Sequence, residues 1–188
     1  MKKLLPLLLI FVLALSFSGC YQNHYEYTDI NDYSKIKELY EIREKEAIFD
    51  IIPEDIEKKD IEKFYFSWDL GFIGSASVQL QCSVKYSEKD LKNEVKRIKS
   101  IEGGEPVKRK IKKYNTFRFV YPAYVSVLGY DDTNCYALID KESRIIHYIY
   151  LSLTRAEDMK IDAESLTPEG YKDNGEVLGE SFTIYNYE

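Results

Sequence analysis

The chain has 188 residues, with 26 Lys and Arg against 32 Asp and Glu, a formal net charge of −6. That length suits one domain with a core of its own, and the acidic balance argues against nucleic acid as a partner, because phosphate backbones select a net basic face. Three cysteines are too few for a disulfide scaffold, and 17 Tyr and nine Phe against one Trp lean the chain toward strands.

Residues 1–19 read as an export signal. Lys2 and Lys3 make a basic end, Leu4 to Phe17 is almost wholly apolar, and Ser18 and Gly19 close it with small residues. The apolar stretch is shorter than the ~20 residues of a comfortable membrane span. Cys20 follows directly, which resembles a bacterial lipoprotein signal, cut before the cysteine, whose thiol carries a diacylglycerol. Phe17 stands where an aliphatic residue is usual, and an ordinary secretory signal that happens to end near a cysteine is the alternative. Loss of Lys2 and Lys3 with the signal would take the net charge from −6 to −8.

Residues 20–32 are polar and tyrosine-rich, expected as a tether between lipid and domain. The other possibility is a segment docked through Tyr25, Tyr27 and Ile30. Residues 33–188 are expected to form the extracytoplasmic domain. Asp32 or Ser34 can cap a helix running to about Ala47, with Ile36, Leu39, Tyr40 and Ala47 on one face. Pro53 stops it, and can open a short helix over Glu54 to Ile56.

From Ile61 the period changes to two. Phe64, Phe66 and Trp68 alternate with Tyr65 and Ser67, and a turn at Asp69 to Gly71 leads into a strand from Ala76 to Tyr86. There Val78, Leu80, Cys82, Val84 and Tyr86 point one way and Gln79, Gln81, Ser83 and Lys85 the other, so one face is expected to meet water. Ser87 caps a second helix, Asp90 stands in the capping-box position, and Leu91, Val95 and Ile98 form an apolar stripe that ends at Gly103–Gly104. Lys108 to Lys113 is a basic run. Phe117 to Tyr121 and Tyr124 to Tyr130 read as a strand pair. Asn134 to Asp140 and Arg144 to Leu153 read as a hairpin turning at Asp140 to Ser143. Pairing Asp140 with Arg144 puts Tyr136, Leu138, Ile146 and Tyr148 on one side. Cys135, Ala137, Ile139, Ile145, His147, Ile149 and Leu151 then fill the other, and a slip of one residue would re-pair these sets. Both faces are apolar, so the hairpin belongs mid-sheet. Ala156 to Tyr171 is helix or loop, and Ser181 to Tyr185 a last short strand. The expected fold is α+β: one domain, an antiparallel sheet of about five to seven strands, with the two main helices packed on one face.

The lipoprotein-like signal, the phrase IIPEDI at Ile51 to Ile56, YALIDKESRIIHYIYLSL at Tyr136 to Leu153, Pro168-Glu-Gly-Tyr171 and GESFTIY at Gly179 to Tyr185 occur together in that order. This resembles a group of uncharacterised lipoproteins of low-GC Gram-positive bacteria (Firmicutes). The resemblance implies location and domain type and carries over no activity.

Catalytic constellations are not recognisable. A hydrolase needs a nucleophile and a base within hydrogen-bond reach. Of two histidines, His24 falls in the tether and His147 on an apolar strand face, where a Cys135–His147 pair reads less well than a satisfied core histidine. Phosphate loops, HExxH, CxxC and Gly-x-Ser-x-Gly are missing from the sequence, and two histidines with two further cysteines do not space as a metal site. No cofactor, metal or catalytic residue is expected. Asp131–Asp132 reads as a polar turn. The basic run reads as a solvated strand, or as a patch for anionic lipid headgroups or wall polymers. The expectation is a membrane-anchored, non-catalytic binding or interaction module at the outer face of the cytoplasmic membrane, held by lipid at Cys20, with a protein or wall-polymer partner. The rivals are a cell-wall-active or peptide hydrolase using carboxylates, and an inhibitor or assembly factor for a membrane protein. Cys82 and Cys135 are expected as two buried thiols.

Overall fold

The structure is a computed structural model that describes residues 23–44, 51–70, 76–101, 112–114, 119–130, 133–152, 154, 158–168 and 171. Its strands are β1 (Asn23–Tyr27), β2 (Asp60–Leu70), β3 (Ala76–Lys85), β4 (Lys112–Tyr114), β5 (Ala123–Tyr130), β6 (Thr133–Asp140) and β7 (Ile145–Ser152). They form one antiparallel sheet in the order β1-β2-β3-β7-β6-β5-β4. Helices α1 (Tyr33–Glu44) and α2 (Glu88–Ser100) lie on one face, and a short α3 (Ala163–Leu166) on the other. The chain is therefore α+β, as its periodicities predict.

Each strand's alternation sorts side chains between two cores. On the helix side, Phe64, Phe66 and Trp68 of β2 sit across from Cys82, Leu80 and Val78 of β3, and Ile146, Tyr148 and Tyr150 of β7 continue the layer. Tyr33 and Ile36 of α1, Leu91 and Ile98 of α2 and Ile51, Ile52 and Ile56 between them close over it. On the opposite side Tyr136, Leu138, Ile149 and Leu151 meet Phe119, Ile161 and Leu166. The hairpin β6–β7 is thus covered on both sides, mid-sheet.

Four expectations change. The segment 20–32 is not a free tether from Asn23 onward: β1 is an edge strand on β2, and Tyr25 and Tyr27 pack their rings on Trp68 and Phe66. Alternation drives this, since Tyr25 and Tyr27 face the core while His24 and Glu26 face out. Ser34 does not cap α1. Its backbone N–H and hydroxyl both donate to Glu57, which pins the helix start to the 3-10 turn Ile56–Lys58. The polar face of β3 does not meet water, for Gln79, Gln81 and Ser83 are all buried. The Gln79 amide donates to the Asp158 carbonyl and accepts from the Lys160 N–H, both at 2.9 Å, as a strand backbone would, and Gln81 donates to Ser83. β5 pairs with β4 and β6, whereas Phe119 to Tyr121 is bent chain.

The β6–β7 register also differs by one residue. Asp140 pairs with Ile145, so Tyr136 faces Ile149 and Ala137 faces Tyr148. Residues 141–144 form the turn. Asp140 Oδ1 accepts from the N–H groups of Glu142 and Ser143 at 3.0 Å, and Arg144 takes a left-handed φ of 59°. That conformation costs a non-glycine residue about 1 kcal/mol or more, here offset by the closed hairpin and by the Tyr86 N–H, which donates to the Arg144 carbonyl at 2.9 Å.

The expected signal 1–19, Cys20, Gly103–Gly104, Lys108 to Ile111, Asp131–Asp132 and the strand at Ser181 to Tyr185 lie outside the described residues. Among the described residues no helix is long and apolar enough to cross a membrane.

Candidate functional site

The sheet has two ends. At one, Asn23 of β1 pairs with Leu70 of β2; at the other, Asp60 of β2 pairs with Lys85 of β3. The second end carries a cleft of about 500 Å³ lined by Lys58, Lys59, Asp60, Lys85, Tyr86, Ser87, Asp90 and Arg144. Five elements build it, among them β2 with Asp60. The 3-10 turn delivers Lys58 and Lys59, β3 ends in Lys85, the start of α2 supplies Ser87 and Asp90, and the β6–β7 turn swings Arg144 in through its left-handed backbone. Ser87 caps the helix as its sequence predicts. Its hydroxyl oxygen accepts from the Asp90 N–H at 3.1 Å and its proton goes to Asp90 Oδ2 at 2.6 Å.

Four cations thus surround the cleft against two carboxylates, in a chain whose overall charge is negative. Lys59 pairs with Asp55 at 2.8 Å and holds that carboxyl below its usual range, and Lys85 pairs with Glu62 at 3.2 Å. Among the described residues no carboxylate lies within ion-pair distance of Lys58 or Arg144. An ammonium has three donors, so a single carboxylate leaves Lys59 and Lys85 able to donate again. Arg144 adds a planar fork suited to two oxygens of one anion. Such a group of side chains can hold an anion. The Ser87 hydroxyl in its wall is engaged with Asp90 as the helix cap.

A second polar cluster sits on the strap-covered face. Gln81 Nε2 donates to Ser83 Oγ at 3.0 Å, and Ser83 Oγ shares a hydrogen bond with His147 Nδ1 at 2.8 Å. His147 stacks on Tyr121, with ring centroids 5.7 Å apart. Burial holds the imidazole below its ordinary pKa. Ser83 is 3% exposed. A serine that closed to solvent offers no path to a substrate, and the pair is a cross-strand hydrogen bond between directly opposed residues.

The histidines and cysteines considered from sequence are distributed as follows. Cys135 faces the helix-side core and His147 the opposite side, so the register change separates them. Cys82 and Cys135 are both buried and not bonded to each other. His24 is on β1, with Nδ1 2.6 Å from Asp69 Oδ1 and Nε2 3.3 Å from Glu26 Oε2, and the bond to Asp69 raises its pKa. Of the basic run, Lys112 and Lys113 fall on β4. Among the described residues no group of three or more His, Cys, Asp and Glu side chains could hold a metal ion. Sequence reasoning weighed the contiguous run at Lys108 and missed the cleft, whose cations come from three separate places. The one linear hint is Lys58-Lys59 directly before a strand that returns at Lys85.

Compared with known proteins, the chain matches no family model, no curated protein and no solved structure.

Proposed function

We propose that this chain is a lipid-anchored extracytoplasmic binding module, without catalytic chemistry of its own, whose recognition site is the basic cleft. The observation that carries the reading is the division of the sheet. Among the described residues both faces carry a packed core, one under α1 and α2 and the other against residues 158–168, and the Asp60/Lys85 end carries the cleft with its four cations. The sequence of residues 1–20 supports export and lipidation at Cys20. Carboxylate-based hydrolysis fits the cleft less well. Asp60 and Asp90 are both exposed, and Asp90 spends one oxygen on the Ser87 cap, whereas a general acid is shielded and free to pass a proton.

Membrane fractionation tests the anchor. Wild-type chain should stay with the membrane pellet through a high-salt wash, since acyl chains supply ~0.8 kcal/mol per buried CH₂ and salt does not screen that. Cys20→Ser should appear soluble or retain its signal. A Cys20→Ser chain that is cut and still salt-resistant in the pellet would overturn the anchoring.

A further inference from the structure

The position of β1 puts Asn23 and the cleft at opposite ends of the sheet. Asn23 stands level with Leu70, and Asp60 lies ten residues back along β2 at the cleft end. At ~3.3 Å per residue, less a little for the irregularity between Ile61 and Lys63, that separates the two ends by about 30 Å. Only three residues join Cys20 to Asn23, a reach of at most ~11 Å. A chain anchored at Cys20 therefore keeps the Asn23/Leu70 end near the bilayer. Standing the sheet upright with the cleft against the headgroups would need a tether about three times longer.

The charge of the cleft specifies what it takes. Lys58 and Arg144, which form no ion pair among the described residues, match the two negative charges of a phosphate group, ~−1.5 to −2 near neutral pH. The spare donors on Lys59 and Lys85 and the Arg144 fork supply hydrogen bonds to its several oxygens. Asp60 and Asp90 also line the cleft and disfavour a ligand that carries further negative charge.

We propose that the cleft binds a phosphate group presented from the solvent side, away from the leaflet that holds the anchor. This rests on the anchored-module reading for its direction and on the cleft alone for its chemistry. The ligand is a phosphate-bearing solute or the phosphorylated end of a larger molecule outside the membrane.

Two arms separate those parts. In the first, inorganic phosphate is titrated calorimetrically into the full chain in neutral detergent. Binding is expected at a dissociation constant of about 1 mM or tighter. The double variant Lys58→Gln/Arg144→Gln should weaken it at least about tenfold, because both charge-assisted contacts go. Both positions are exposed, so the fold should persist, and an unchanged melting curve checks this. Lys96→Gln/Lys160→Gln removes the same charge elsewhere on the exposed surface and should bind within about twofold of wild type. No heat at ~10 mM phosphate, or equal loss in both double variants, would overturn the site.

In the second arm the lipidated chain is placed in neutral phosphatidylcholine vesicles and in vesicles that also carry phosphatidylglycerol. The phosphate affinity should be the same in both, because about 30 Å exceeds three Debye lengths at physiological salt. Weaker phosphate binding on the anionic vesicles would mean that headgroups occupy or shield the cleft, and would overturn its direction. A chain that fails to partition into either vesicle would overturn the anchored reading and the direction with it, while the first arm still decides the cleft.

Discussion

Tyr148 of β7 donates its hydroxyl proton to Glu94 of α2 at 2.6 Å, beneath the helix and against the middle of the sheet. Tyr86 meets the same tyrosine at 2.8 Å, and Arg97 reaches Glu94 through both its Nε and an Nη, then donates to the Ile51 carbonyl. A carboxylate with only 9% of its side chain exposed is thus held by a tyrosine and a guanidinium, which is the condition for burying a charge without large cost. This network joins the apolar stripe of Leu91, Val95 and Ile98 in holding α2 on the sheet.

Tyr148→Phe should therefore cost about 1.5–3 kcal/mol, the range for a hydrogen bond to a charged group. Glu94→Gln should cost less than Glu94→Ala, since the amide can still accept from Tyr148. Denaturant melts of the single and double variants give the coupling between the two residues. A coupling near zero would mean that Glu94 and Tyr148 act independently.

Cys82 lies on β3 and Cys135 on β6, with β7 between them: Cys82 pairs with Tyr148 and Cys135 with Tyr150. Two strand spacings of ~4.8 Å put their Cα atoms about 10 Å or more apart, beyond the ~7 Å that a disulfide spans. Burial pushes the Cys82 thiol up to about 12, so it is unreactive as well as enclosed. Without reductant, two thiols beyond Cys20 should label only after unfolding. Labelling of either one in the native protein would contradict this packing.

The two histidines pull stability in opposite directions with pH. His24 has a raised pKa, chiefly through its bond to Asp69, so its contribution is full below the ordinary 6.5 and is lost as pH rises through the raised folded value. His147 has a lowered pKa through burial. The unfolded chain takes up that proton first, and stability falls as pH drops through 6.5 toward the folded value. Relative to wild type, His24→Gln should be most destabilised on the acid side, and His147→Gln should lose the acid-side decline. Melting curves from pH 5 to 8 check both signs.

Much of this architecture is legible in the chain itself. The alternation of β3, the Ser87 cap with Asp90 and the doubly apolar β6–β7 run each state their structure, because local periodicity and capping depend on neighbours in sequence. The rest depends on partners far away. Gln79, Gln81 and Ser83 read as a wet face because the segment that bonds Gln79 arrives some 80 residues later. The register of β6 and β7 turned on one residue, Arg144, taking a backbone conformation that arginine seldom adopts. The strand β1 had a signal, with Tyr25 and Tyr27 alternating with Glu26, but five residues beside an expected tether are a weak pattern. The cleft had little beyond the Lys58-Lys59 pair, since Lys58, Lys59, Lys85 and Arg144 converge only after the sheet and the turn have formed.

Anchoring at Cys20 underlies both the proposed role and the direction of the cleft, and the intact mass of the chain extracted from membranes tests it most directly. The expected mass is that of residues 20–188 carrying a diacylglycerol, with the modification on the peptide that begins at Cys20. A chain that retains residues 1–19, or one cut elsewhere and bearing no lipid, would contradict it.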